Sequence, residues 1–408
     1  MRVLRVNTEY SRGGAAGKAR ALHEAARSMP GSESLFAFGR GPRPLDSAAL
    51  RFAFPLEVGL HALLTRLTGI QGYGTWMSTR RLLRVIGEWK PDVIHFHNIH
   101  GYYLDISIAE AVGSMGIPVV WTLHDAWPLT GRCAYFFDCD RWRIGCGRCP
   151  NLLTYPRAFF DSSRGMWRRK RRLLGEAWDP LVVAPSRWLA ELAVEASSGR
   201  CRVKVIPNGV DTSRFHPRSR REARARLGLR EDRKVVLFAA ADLRDERKGV
   251  MYFLESLRHI QAKGWEVITV GRNARAAKAF LRQPVAMKQL GYLSGESLAD
   301  AFCAADLYCI TAMDDNFPTT VLESLSCGTP VVGFAVGGIP EQVSGGCGML
   351  VAPRDVKGLA RAIGVLLEDD GLRQEMAQVC REKAVVEYGR KRFIERYISL
   401  YREEGGAQ

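Results

Sequence analysis

Two carboxylates, Asp315 and Glu323, stand eight positions apart in ITAMDDNFPTTVLESLSCGTPVVGFAVGGIPEQV, 310–343. The apolar run before Asp315 reads as a strand. Thr319 and Thr320 open the helix that follows. The first turn of a helix offers unpaired N–H groups and the positive end of the dipole to an anion. A carboxylate further down the same helix can accept from two vicinal hydroxyls, as on a ribose. The plain alternative is an amphipathic helix with an exposed acid.

NTEYSRGGAAGKARAL, 7–22, is a second place where phosphate chemistry is conceivable. It follows a short apolar run and leads into a helical pattern. The Walker pattern fails at two positions: Ala19 follows Gly17-Lys18, so no hydroxyl is present for magnesium, and Arg12 stands where the first glycine belongs. Gly13 and Gly14 still let a backbone approach a ligand beside a helix N-terminus.

Three histidines, His95, His97 and His100, lie in HFHNIHG, with His124 at the end of WTLHD. His95 and His97 share one face of a strand. A metal reading is disfavoured, because the strand reads as buried and no third ligand is near in sequence. His97 and Asn98 are candidates to line a substrate. Cys133, Cys139, Cys146 and Cys149 crowd into one short stretch, the last two as C-x2-C flanked by glycines and Pro150. A tetrahedral zinc site, disulfides and unrelated thiols all stay open.

The elements that must position these groups follow from the pattern. A chain of 408 residues is long for one core and implies two domains. Lys and Arg exceed Asp and Glu by 59 to 43, so anionic partners are expected. Nucleic acid is set aside, since neither a recognised module nor aromatics interleaved with basic residues on a sheet face is present. No long apolar span occurs, and the chain enters a strand without a leader pattern, so a cytoplasmic location is expected. RGMWRRKRRLL, 164–174, reads as a basic helix, either on an anionic lipid surface or as a solvated face over the core. PLEVGLHALLTRLTGI, 55–70, reads as a core or acceptor-groove helix.

The first half alternates strands (VLRV, DVIHFHN, PVVWTLHD, LVVAPS) with helical patterns. The Pro-Asn-Gly turn at 207–209 then marks a connector, and the rhythm restarts with RKVVLFAAAD, WEVITVG, DLYCITA and PVVGF. Two doubly wound α/β halves are expected, with ligands at the carboxyl ends of their strands and a cleft between them.

Several of these segments together resemble the retaining glycosyltransferases of family 4, which share the GT-B fold. The carriers are DNFPTTVLESLSCGTPVV, LRDERKG (243–249), VIPNGVDTSRF, LGYLS (290–294) and SRGGAAGKARALH, in the family's order. The cysteine-rich segment HDAWPLTGRCAYFFDC…RWRIGCGRCPNL is similar to a subgroup that assembles capsular, colanic-acid-like or lipopolysaccharide sugars. The resemblance implies two Rossmann-like domains. Residues 1–184 form an acceptor-side domain with a Cys-rich insertion at 131–150. A linker runs over 185–215, and a nucleotide-sugar domain over 216–385. A C-terminal helix, 386–408, returns to the first domain.

The implied activity is metal-independent, retaining transfer from a nucleoside-diphosphate sugar to a saccharide acceptor. The acceptor would be linked to a polyprenyl diphosphate at the inner membrane face, so that an anionic membrane surface is a partner. A small soluble acceptor and a catalytically inactive nucleotide-binding module are the alternatives. No cofactor is required for catalysis; structural zinc is the one candidate. By resemblance His124, Asp315 and Lys248 are catalytic. Glu323 holds the ribose. Lys248 with Arg247 or Arg244 neutralises the diphosphate. Tyr292 and Leu293 read the base, and Asn316, Phe317, Thr319 and Thr320 complete the donor site. Gly13 and Gly14 close over the diphosphate from the other domain. Departures from the family pattern are Asp315 for Glu, Pro318 for glycine, and Asp242 where an arginine is usual. A neutral His124 could hydrogen-bond a sugar hydroxyl; a charged one could stabilise a leaving group.

Overall fold

The computed structural model describes residues 1–273 and 286–406. The chain divides into two compact units, Met1–Pro207 with Phe393–Gln408, and Asn208–Arg392.

In the first unit seven strands form one sheet: β1 (Arg2–Glu9), β2 (Glu33–Arg40), β3 (Ala49–Arg51), β4 (Val93–Phe96), β5 (Val119–Thr122), β6 (Leu181–Ala184) and β7 (Arg202–Val205). Their order is β3-β2-β1-β4-β5-β6-β7, and every pairing is parallel. Strands β4, β5 and β6 are buried along their whole length, which is why they read as unbroken apolar runs. The chain runs outward from β1 to β2 and β3, then returns to β4 on the other side. That reversal opens a crevice at the carboxyl ends of β1 and β4.

Part of the expected linker is not a linker. Residues 187–205 hold the helix Arg187–Ala196 and edge strand β7. Ser186 caps the helix by accepting the Leu189 N–H. Strand β7 is mostly exposed, and its RVKV pattern carries too little apolar signal to mark a strand.

The helix Arg390–Glu404 places Phe393, Tyr397, Ile398, Leu400 and Tyr401 in the core of this unit with Val3, Val93, Val120 and Val183. Polar contacts fix its register. His95 bridges the Tyr401 hydroxyl and the Thr122 hydroxyl, both at 2.7 Å, and Thr122 also meets the Tyr397 hydroxyl at 2.8 Å. The buried Arg5 guanidinium lies over the Tyr401 ring.

Of the two surface helices, one keeps to its sequence pattern and one departs from it. The basic helix Ser163–Arg171 buries Met166 and Lys170, and Leu173 and Leu174 beyond it are core, so its apolar side faces the protein and its arginines lie on the outer side. The helix Pro55–Thr68 is not a core helix: it buries Glu57, His61 and Thr65 and exposes its leucines.

The second unit holds a sheet of β8 (Lys234–Asp242), β9 (Trp265–Arg272), β10 (Met287–Gly291), β11 (Leu307–Ile310), β12 (Val331–Phe334) and β13 (Gly348–Val351) among the described residues. The order is β10-β9-β8-β11-β12-β13, again parallel throughout. Asp306, just before β11, is buried and ties the sheet to the helix Arg220–Leu227. It accepts from Arg224 at 2.7 Å, from Arg220 at 3.1 Å and from the Val235 N–H at 2.7 Å. The order reverses between β8 and β11, so the crevice of this unit lies at their carboxyl ends.

Candidate functional site

The loops leaving β8 and β11 are stitched together at that reversal. The Met313 N–H donates to the Arg247 carbonyl, and the Thr311 hydroxyl to the Gly249 carbonyl, both at 2.8 Å. Gly249 has φ 66°, and a Cβ there would stand 2.0 Å from the Thr311 carbonyl oxygen. Only glycine permits this approach.

The result is a charged cluster. Lys248 Nζ lies 2.6 Å from one oxygen of Asp315, and Arg247 Nη1 lies 2.9 Å from the same oxygen. Arg247 also donates to the Asp314 carbonyl and pairs with Asp245. Burial pushes the Asp315 carboxyl up, but Lys248 and Arg247 outweigh it and hold the group below its usual range. Asp315 is therefore ionised at neutral pH and orients two cations at a strand end.

The helix Thr319–Ser326 begins beside this cluster, and among the described residues no side chain caps its first turn. Thr320 Oγ1 accepts from the Tyr308 hydroxyl at 2.9 Å. Burial pushes the Tyr308 phenol up, and the carboxylates of Asp315 and Glu323 add to that. Asp315, Lys248 and Arg247 are thus brought together where β8 and β11 end, with Thr319 and Thr320 opening the helix that follows and Glu323 one turn along it.

The other expected donor residues divide. Asn316 is buried, and Phe317 is core, its ring 5.8 Å from that of Tyr388. A ligand-facing side chain at 317 is not what the structure shows. Tyr292 is exposed with the Arg272 guanidinium over its ring, while Leu293 packs against the core. Arg244 points to Asp242, 3.6 Å away, and Asp242 also accepts from Asn273. Arg244 is therefore less well placed than Arg247 to meet an anion beside Lys248. Arg272, at the carboxyl end of β9 opposite Asp242, is a basic residue that the sequence reading stopped one position short of.

In the first unit the loops after β1, β4 and β5 converge. The Thr8 hydroxyl donates to the His100 carbonyl at 2.8 Å, and the Asn98 N–H to Asn7 Oδ1 at 3.3 Å. His97 Nδ1 meets His124 Nε2 at 2.9 Å, and His100 Nε2 meets Asp125 Oδ2 at 2.8 Å. Burial lowers His124 to about 4, with Lys18 and His100 adding and Asp125 opposing. Its imidazole is therefore neutral at pH 7. Gly13 caps the helix Gly14–Arg27 with φ 90°, a backbone state that favours glycine, and a Cβ at either Gly13 or Gly14 would meet open space.

Cys133, Cys139, Cys146 and Cys149 line a single small cavity with Phe136 and Trp142. All four are free thiols, and the Gly131 N–H points at Cys146 Sγ, 3.2 Å away. Lys170 is buried nearby, donating to the Trp127 carbonyl. Burial lowers it to about 7, against the pull of Cys133 and Cys146. Four thiols suit zinc in kind and number. Among the described residues, however, no three His, Cys, Asp or Glu side chains converge closely enough to hold a metal ion.

A family model described as Glycosyltransferase Family 4 matches residues 13–214, and one described as Glycosyl transferases group 1 matches 233–369. An Escherichia coli (strain K12) protein named for colanic acid biosynthesis, the glycosyl transferase WcaC, is 25% identical over 424 residues, covering 98% of this chain and 99% of its own. Anabaena HepE, solved with UDP-glucose, superposes with a TM-score of 0.71 at 18% identity over 99% of this chain and 100% of its own. WaaG, a glycosyltransferase involved in lipopolysaccharide biosynthesis, superposes with a TM-score of 0.69 at 15% identity, covering 98% and 99%.

Proposed function

The chain belongs to the glycosyltransferases of family 4 and has the GT-B fold. From that membership we propose that it moves a sugar, with retention, from a nucleoside diphosphate to a saccharide on a lipid carrier during polysaccharide assembly. The observation that carries the reading is the Lys248–Asp315–Arg247 cluster beside an uncapped helix N-terminus, at the crossover of the second sheet. A diphosphate needs fixed cations and N–H groups placed where leaving-group charge develops. Lys248, Arg247 and the first-turn N–H groups of Thr319 and Thr320 supply them without a metal. Asp315 holds both cations in place before the donor arrives.

In this reading Glu323 accepts from the two ribose hydroxyls. The acceptor oxygen bonds to the anomeric carbon on the face the diphosphate leaves, and its proton passes to a diphosphate oxygen. Neutral His124 receives or donates a hydrogen bond at a sugar hydroxyl. The name of WcaC and the structural likeness to WaaG support a saccharide acceptor in envelope or exopolysaccharide assembly.

The test is a thermal-shift panel of UDP, GDP, ADP and CMP, each with EDTA or magnesium. One diphosphate raising the midpoint equally in both is expected. At a hundred times its dissociation constant it should add about 2.7 kcal/mol. A shift that requires magnesium would overturn the metal-free reading, and no shift with any of the four would overturn the reading of the cluster as a diphosphate site.

A further inference from the structure

The helix Pro55–Thr68 is built inside out. Glu57, His61 and Thr65, at i, i+4 and i+8, face the protein. Leu56, Leu60, Leu63, Leu64 and Leu67 face outward, between 40% and 76% exposed. A surface helix of a globular protein ordinarily turns its apolar stripe inward.

Hydrogen bonds hold the reversed arrangement. The Glu57 carboxylate accepts the N–H groups of Met77 and Ser78, each at 2.8 Å. His61 Nε2 accepts from the Gly72 N–H at 3.1 Å, and the Thr65 hydroxyl donates to the Ile70 carbonyl at 2.8 Å. Each of the three polar side chains thus has its own backbone partner from the 70–78 segment, so the leucines are left outside by construction.

The apolar surface extends past the helix. Glu57 pins the start of the helix Trp76–Trp89, whose Trp76 and Met77 are 56% and 48% exposed. The Phe159 N–H donates to the Arg66 carbonyl at 2.8 Å, which brings exposed Phe159 and Phe160 to the other end. The charges among these rings are arginines. Arg66 lies over Phe159, Arg80 over Trp76, Arg81 over Phe54 and Arg169 over Tyr73. The nearby acids are occupied: Glu57 by Met77 and Ser78, Asp161 by the N–H groups of Cys149 and Ser163.

We infer that this face of the first unit docks on an anionic lipid bilayer. The leucines and aromatic rings would enter the acyl boundary, and the arginines would meet the headgroups. Leucine-rich faces rimmed by aromatic residues and arginine have the composition that lies in a membrane interface. A second copy fits less well, because a two-fold contact would bring the arginine rim against itself. No helix among the described residues is long and apolar enough to cross a membrane, so the attachment is interfacial. The inference rests on the surface, not on the transfer reaction.

The experiment is flotation of the purified full-length chain with phosphatidylcholine vesicles, with and without phosphatidylglycerol. Three proteins are compared: wild type, Leu60→Asp/Leu63→Asp and Arg80→Gln/Arg81→Gln. Wild type should float with the anionic vesicles. The leucine variant should lose at least about tenfold in partitioning. The arginine variant should lose the preference for anionic lipid. Nucleotide-induced thermal shifts on the same samples, read in the second unit, should be equal in all three, which separates loss of docking from misfolding or a wrong donor site. Three results would overturn the inference: no flotation of wild type, flotation indifferent to the leucines or to the arginines, or sedimentation of a wild-type dimer that the leucine variant dissolves.

Discussion

The two sheets reverse their strand order in the same way and furnish the two reversals with opposite chemistry. At the β8/β11 crossover the side chains are charged and interlocked: Lys248 and Arg247 share one oxygen of Asp315. Beside the β1/β4 crossover, where β4 and β5 end, they are imidazoles, with His97 on His124, and burial holds both neutral. On the proposed function, the first arrangement suits a departing diphosphate and the second suits sugar hydroxyls. Strand topology says where a ligand goes in each unit; the residue types at the strand ends say what chemistry meets it there.

The largest effect that would sharpen this contrast is at Glu323. If it accepts from two ribose hydroxyls, Glu323→Ala should cost at least about a hundredfold in nucleoside-diphosphate affinity, since two charge-assisted hydrogen bonds are lost. Calorimetric titration of a variant with unchanged circular dichroism checks this, and retained affinity would remove the ribose assignment. His124→Gln should act differently. Turnover should fall about tenfold to a hundredfold while diphosphate affinity stays as it was, because a neutral hydrogen-bonding imidazole contributes to the transfer and not to the leaving group. A parallel loss of both would break the division of labour.

Acid should strike the first unit before the second. All five histidines whose values are lowered, His23, His61, His95, His97 and His124, belong to the first unit. His23 and His124 drop from 6.5 to about 4. Between those values the unfolded chain binds protons that the folded unit refuses. Stability is therefore full above pH 6.5, falls as pH drops through the window, and levels below about 4. His23 and His124 each account for about 3 kcal/mol of that loss. Urea unfolding from pH 7 to pH 4.5 reads the slope, and His23→Gln should flatten it. A pH-independent midpoint would contradict the burial argument.

The smallest effect concerns the cysteine cavity. If zinc draws the four thiols together, elemental analysis should find about one equivalent, and Cys146→Ser should release it. A metal-free wild-type protein would return the four to ordinary thiols.

The alternation of buried strands and helices was legible because β4, β5, β6, β8, β11 and β12 are short apolar runs between helical stretches. Strands β3, β7, β10 and β13 were not read, since exposed or glycine-containing edges lack that signal, and the buried β2 was also missed. Asp315, Glu323 and Lys248 could be singled out by type and spacing. Their pairing could not, because 67 positions separate Lys248 from Asp315 and only the β8/β11 crossover joins them. Period alone also cannot say which stripe of an amphipathic helix faces inward. In Pro55–Thr68 the answer depends on backbone groups of residues 70–78 that accept or supply hydrogen bonds to Glu57, His61 and Thr65.

The most direct test of the contrast is a paired titration. The diphosphate that stabilises wild type, and its parent nucleoside, are measured against wild type, Lys248→Ala and His124→Gln. The account predicts that Lys248→Ala weakens the diphosphate by about tenfold to a hundredfold and the nucleoside hardly at all, while His124→Gln changes neither. Equal weakening of both ligands by Lys248→Ala, or loss of diphosphate binding in His124→Gln, would contradict it.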